Sequence, residues 1–194
     1  MPMLPLVLAS SSPYRRELLS RLRQPFEWAA PSIDESRQAG EPAEELVRRL
    51  AREKAQALAE RFAAHLIIGS DQVAVLDGQV LGKPHDFERA HAQLSAASGK
   101  SVTFLTGLAL LDSKSGACQV DCVPYTVHFR ALDAEQITRY LEAEEPYDCA
   151  GSFKAEGLGI SLFRSTEGSD VNSLIGLPLI RLVEMLDRVG VKVP

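Results

Sequence analysis

The run Leu6-Val-Leu-Ala-Ser10-Ser-Ser12-Pro-Tyr14-Arg15-Arg16-Glu-Leu-Leu constrains the chain more than any other stretch. Its apolar start, Leu6 to Ala9, reads as a buried strand. Pro13 then takes the place of a first helical residue with Ser12 as N-cap, since proline has no N–H to leave unpaired there and its φ already suits a helix. Leu18, Leu19 and Leu22 give that helix an apolar stripe. Strand, hydroxyl-rich turn and helix N-terminus with two arginines follow one another. Backbone N–H groups, serine hydroxyls and guanidinium forks in one place suit phosphate oxygens. A capped surface helix with solvated arginines uses the same residues, and the serine run alone favours that plainer reading.

At 194 residues the chain suits one domain, or one domain with two lobes. A net charge of −5 leaves no basic excess to displace counterions from a nucleic acid, so any anion site must be local. Met1–Ala9 carries no basic n-region, and no stretch is long and apolar enough to span a membrane. Cys118, Cys122 and Cys149 are odd in number and lack metal-finger spacing, which predicts reduced structural thiols in a cytoplasmic protein.

Further along, Phe26–Ala30 predicts a second strand leading into a polar loop with Asp34 and Glu35. Adjacent carboxylates in a loop are usually solvated, and they are also what a hard divalent cation takes. A long helix is expected over about 43–64, its stripe running through Leu46, Val47, Leu50, Ala51, Leu58 and Phe62. Lys54 falls in register with that stripe. It either snorkels to the edge of the core or points into a cleft toward an anion. Asp77-Gly78 between two apolar runs predicts a hairpin. Asp71 lies inside the first of those runs, where an unpartnered carboxylate is costly. With Lys54 and Lys83 as other oddly placed charges, Asp71 reads as part of a site. A capped helix is predicted over about 86–97, two long strands over 102–112 and 120–130, and a helix from Asp133 with Gln136 completing a capping box. Ala150–Gly159 holds three glycines, which mark close backbone approach or positive φ, and a strand Ile160–Phe163 is expected after it. Pro178 begins a last amphipathic helix. Four histidines share no ligand spacing. Strands and helices interleave throughout, giving a mixed α/β class.

Ser10-x-Ser12-Pro13-x-Arg15-Arg16, Ile33-Asp34-Glu35, Arg52-Glu53-Lys54-Ala55, Gly69-Ser70-Asp71-Gln72, Gly82-Lys83-Pro84, Ala150-Gly151 and Gly176-Leu177-Pro178 occur in one order. This ordered set resembles the Maf family of nucleoside triphosphate pyrophosphatases, nearly end to end. The resemblance implies a single domain over residues 1–194, with an elongated mixed sheet flanked by helices, two lobes and a central cleft, related in architecture to the inosine triphosphatases. It implies hydrolysis of a nucleoside triphosphate to monophosphate and diphosphate with a divalent cation, Mg²⁺ or Mn²⁺, by a homodimer. By the same resemblance Asp71 is the catalytic acid/base, and Glu35 and Asp71 hold the metal. Ser10, Ser12, Arg15, Arg16, Lys54 and Lys83 face the phosphates. Those residue types suit phosphoryl chemistry, which needs spread positive charge and a positioned water.

The family's pyrimidine-selective members carry arginine after the proline, threonine after the catalytic aspartate and glutamine in the glycine-rich segment. Here the three positions are Tyr14, Gln72 and Glu156, which resemble the subgroup acting on 7-methyl-GTP, with tyrosine where that subgroup has tryptophan. An aromatic face over the cationic methylated base gains ~0.5–2 kcal/mol. A carboxylate accepts from guanine's N1–H and amino group. Two alternatives remain: a dTTP/UTP pyrophosphatase, or a nucleotide-binding regulator of cell division without catalysis. No Gly-rich segment ends in Gly-Lys-Ser/Thr, which disfavours a P-loop enzyme.

Overall fold

Leu6–Ala9, strand β1, is buried on both faces at all four positions and has a parallel neighbour on each side: β2 (Phe26–Ala29) and β3 (Leu66–Leu76). A strand covered in this way reads as an unbroken apolar run rather than an alternation. The structure is a computed structural model and describes residues 4–194; Met1–Met3, the start of the segment read above for a leader, lie outside them. Four further strands complete a seven-stranded sheet: β4 (Gln79–Leu81), β5 (Ser101–Asp112), β6 (Cys118–Phe129) and β7 (Phe163–Gly168). Their order is β2-β1-β3-β5-β6-β7, with β4 paired antiparallel to the end of β3. Parallel and antiparallel pairs thus share one sheet with helices beside it, the mixed α/β class that the sequence predicts. Among the described residues no helix is long and apolar enough to cross a membrane.

Most elements begin where their caps are. α1 (Pro13–Ser20) starts at the predicted proline, with the Ser12 hydroxyl accepting from the Arg15 N–H at 3.3 Å. α3 (Phe87–Ala97) is capped by Asp86, which accepts from the Arg89 N–H at 2.8 Å. α4 (Ala134–Glu144) carries the full Asp133/Gln136 capping box. Asp77 and Gly78 both have positive φ, the two-residue turn that matches strand twist in a hairpin.

Two expectations fail locally. The helix predicted over 43–64 is α2 (Ala43–Gln56), and turns fill 57–64. Leu58 and Phe62 stay buried as the stripe requires, but the N–H groups of Leu58 and Ala59 bond three residues back, and Ala64 takes a left-handed φ of 59°. The reversal into β3 is tied by the Ser113 hydroxyl, which lies 2.6 Å from the Phe62 carbonyl and accepts from the His65 N–H at 2.9 Å. Likewise the strand expected at Ile160–Phe163 is a tight turn over Leu158–Leu162. The paired strand is β7, which follows and is polar and exposed beyond the buried Phe163. Gly159 is the reason: a Cβ there would meet the Lys154 carbonyl oxygen at 2.3 Å, so the chain at this point is folded back on itself rather than extended. A short helix the sequence did not announce, α5 (Val171–Ile175), precedes α6 (Leu179–Arg188), for which Pro178 is the N-cap.

The chain divides into two compact units. The first holds residues up to Asp71, then 106–123 and 176–194. Its core includes Val7, Ala9, Ala55, Leu58, Phe62, Ile67 and Leu111. Here α2 lies so close to the sheet that side chains are excluded under it. A Cβ on Gly69 would stand 2.0 Å from the Ala51 carbonyl oxygen, and one on Gly107 would stand 2.0 Å from that of Val47. The second unit holds 72–105 and 124–175. Phe104, Phe129, Phe153 and Phe163 pack edge-to-face in its core, with centroids 4.8–5.7 Å apart. The three cysteines are free thiols. Burial pushes Cys122 up to about 11 and Cys149 up to about 12, so neither is a ready thiolate at neutral pH.

The approach of α2 gives a prediction. Gly107→Ala sets a methyl against backbone, which cannot swing aside, and should cost about 1–3 kcal/mol. A thermal melt by circular dichroism is expected to move down by several degrees, and an unchanged melt would show that α2 is free to lift.

Candidate active site

Val47, Ala51 and Lys54 lie on one face of α2, spaced four and three residues apart, and Gly69 and Asp71 lie on one face of β3. The close packing at Gly69 therefore carries Lys54 to Asp71. The Lys54 ammonium donates to Asp71 Oδ1 at 2.7 Å and lies 3.2 Å from Glu35 Oε2. Lys54 and Asp71 are both buried, while Glu35, on the loop after β2, is more than half exposed. Lys54 does not snorkel to solvent. Taking two charges out of water is offset only when each finds a close partner, and this pair does.

A second cluster adjoins Asp71 along the chain. The Ser70 hydroxyl, wholly buried, lies 2.9 Å from the Gly107 carbonyl and 3.0 Å from that of Gly176, so its one proton serves one acceptor at a time. The Gly176 carbonyl also accepts from Arg15 Nε at 2.7 Å. Gly176 has φ 128°, outside the reach of most side chains, so the turn before Leu177-Pro178 needs glycine. Burial is the larger influence on Arg15 and lowers its pKa, while the charges of Asp71 and Glu35 raise it. Arginine's ordinary value lies so far above neutrality that the guanidinium keeps its charge. Lys54, Arg15, Asp71 and Glu35 thus make one electrostatic group within the first unit.

The serine turn satisfies its own backbone first. Ser10 is buried, with its hydroxyl accepting from the Ser12 N–H at 3.1 Å, and Ser12 caps α1. Tyr14 is half-buried on the first turn of α1. The Arg16 guanidinium sits 4.0 Å over the ring of Trp28, a cation–π contact on β2. In the second unit the Gln72 side chain donates to the carbonyls of Ser173 (2.7 Å) and Leu174 (3.0 Å), tying β3 to α5. Lys83, in the loop after β4, and Glu156, in the turn after Phe153, are both exposed. Sequence reasoning quoted Ser70 and Gly176 only as motif letters and missed their shared hydrogen bonding. It read Trp28 only as a strand residue. A serine between a packing glycine and a buried carboxylate was the available signal.

A family model described as Maf-like protein matches residues 5–189. The chain belongs to the Maf family. Relatives named 7-methyl-GTP pyrophosphatase include those of Pseudomonas syringae pv. tomato and Pseudomonas aeruginosa, each 72% identical over 97% of this chain and 98% of theirs. That of Alcanivorax borkumensis is 58% identical over 97% of this chain and 96% of its own. Among solved structures, the Staphylococcus aureus Ham1 protein superposes with a TM-score of 0.46 at 15% identity, over 66% of this chain and 72% of that one.

The Maf resemblance implies a divalent cation, and the donors can be tested for it. Glu35 and Asp71 converge on one cation, the Lys54 ammonium, and both offer the hard oxygens that Mg²⁺ or Mn²⁺ prefers. Among the described residues no third histidine, cysteine or carboxylate joins them. A pair of carboxylates fits a hard cation whose remaining positions are taken by water and phosphate oxygens.

The Lys54–Asp71 pair is testable by itself. Lys54→Met leaves a buried carboxylate without its partner and should cost about 3 kcal/mol. Adding Asp71→Asn should recover part of that, with a coupling of about 1 kcal/mol or more in a urea-unfolding double-mutant cycle. Simple additivity would mean the two groups do not depend on each other.

Proposed function

We propose that this Maf protein is a nucleoside triphosphate pyrophosphatase that hydrolyses 7-methyl-GTP to 7-methyl-GMP and diphosphate, clearing a modified nucleotide. The observation that carries the reading is the buried Lys54 ammonium held between Asp71 and Glu35 beside the Arg15 guanidinium. The names of relatives more than 70% identical over nearly the whole chain support the nucleotide.

In this reading water attacks the α-phosphorus, the bond from that phosphorus to the bridging oxygen breaks, and diphosphate leaves. Asp71 takes the proton of the attacking water, and its contact with Lys54 fixes which oxygen is available. Lys54 and Arg15 present fixed positive charge to the phosphate oxygens. Because both are already oriented by Asp71 and the Gly176 carbonyl, little reorganisation accompanies reaction. Glu35 and Asp71 would hold Mg²⁺ or Mn²⁺, which would supply Lewis-acid polarisation of phosphate oxygens. The Ser10–Ser12 turn and Arg16 are assigned to phosphates by family resemblance, as is Lys83 in the second unit. Glu156 accepts from the N1–H and amino group of guanine, and Tyr14 offers its face to the ring made cationic by N7 methylation. Gln72 contributes to base choice through its neighbour α5. Both units serve one domain, which works in the cytoplasm as a homodimer.

Diphosphate release from 7-methyl-GTP, GTP, CTP, dTTP and UTP tests the proposal, with and without chelator. A preference for 7-methyl-GTP, lost with chelator and narrowed in Glu156→Gln, is expected. A preference for dTTP or UTP would keep the chemistry and overturn the base assignment. Binding without turnover of any of them would make the protein a regulator.

A further inference from the structure

The turn that carries Glu156 is closed from below by the last two turns of α4. The Lys154 N–H donates to the Tyr140 hydroxyl at 3.0 Å, and the Lys154 ammonium to the Glu144 carbonyl at 3.0 Å, where a cation also suits a helix C-terminus. At the other end of the turn, the Leu158 N–H donates to Glu144 Oε2 at 2.7 Å. Inside it, the N–H groups of Gly157 and Gly159 both reach the Lys154 carbonyl, at 3.2 and 3.0 Å. Phe153, buried in the aromatic core, anchors the entry, and buried Gly159 the exit. Glu156 stands between the two fixed ends.

We propose that Glu144 is a positioning residue for base selection: its carboxylate holds the Leu158 N–H, closing the 154–158 turn so that Glu156 is presented in one orientation. The proposal rests on the reading above that Glu156 meets the base. It explains the glycine after Glu156. A Cβ on Gly157 would stand 2.7 Å from one Glu144 carboxylate oxygen and 2.9 Å from the other, so any side chain there pushes the carboxylate off its donor. Gly157 has a negative φ of −117°, so what it supplies is space. Tyr140 is buried, which pushes its hydroxyl pKa up and keeps it protonated, so the companion contact at Lys154 does not change near neutral pH.

The test joins amide hydrogen exchange over residues 154–160 with kinetics on 7-methyl-GTP and UTP, for Glu144→Ala, Glu144→Gln and Gly157→Ala. Glu144→Ala should speed exchange at Leu158 and raise KM for 7-methyl-GTP about threefold to tenfold, the loss of one hydrogen bond to a charged group's partner, with kcat and the KM for UTP unchanged. Glu144→Gln keeps an accepting oxygen and should restore both readouts. Gly157→Ala keeps the charge, displaces the carboxylate and should resemble Glu144→Ala. Unchanged exchange in Glu144→Ala, equal KM increases for both nucleotides, or failure of Glu144→Gln to rescue would each overturn the proposal. Failure of the base reading shows separately, as a 7-methyl-GTP KM that Glu156→Gln leaves untouched, and it overturns the proposal too.

Discussion

The buried Lys54 ammonium, bonded to Asp71 and flanked by Glu35, is the interaction on which the first unit's arrangement depends. For Lys54 to reach Asp71, α2 must lie almost in contact with the sheet. That closeness requires bare backbone at Gly69 and Gly107 on two neighbouring strands. The same stripe of α2 that buries Val47 and Ala51 then brings Lys54 over β3 two residues past Gly69. Packing and chemistry are therefore one constraint. Loosening the helix to admit a side chain at Gly69 or Gly107 would also separate the ion pair.

Around that pair, polar groups are held by backbone before any substrate is considered. Ser70 and Arg15 meet on the Gly176 carbonyl, Gln72 is bonded to the α5 carbonyls, and the serine turn caps its own helix. Preoriented dipoles and charges act more strongly on developing charge than mobile ones, because no reorganisation accompanies the reaction. Glu156 lies in a turn whose two ends bond to α4.

Much of this was legible in the sequence, for physical reasons that differ by residue. The caps at Ser12, Asp86 and Asp133 were readable because capping is local chemistry. The Asp77-Gly78 turn was readable because few residues tolerate its φ. Lys54 and Asp71 stood out as charges breaking apolar patterns, and that they answer each other follows only from the packing of α2 on β3. The end of α2 was illegible because the stripe continues through Leu58 and Phe62 after the helical bonding stops, held by the distant Ser113. The expected strand at Ile160 failed for a related reason, since the backbone of Lys154 decides the path at Gly159. The contact of Arg16 with Trp28 was illegible, because strand pairing brings that partner alongside. Periodicity reports which face is buried, and it says little about which long-range partner ends an element or turns a side chain aside.

Asp71 is the group on which the proposed chemistry stands most directly. Nucleotide affinity and single-turnover diphosphate release should be measured side by side for the unaltered protein and Asp71→Asn, with 7-methyl-GTP and Mg²⁺. The expected result is a folded variant that still binds the nucleotide and releases diphosphate at least about a hundredfold more slowly, as loss of a positioned base implies. Release at the unaltered rate from a fully folded Asp71→Asn protein would contradict it.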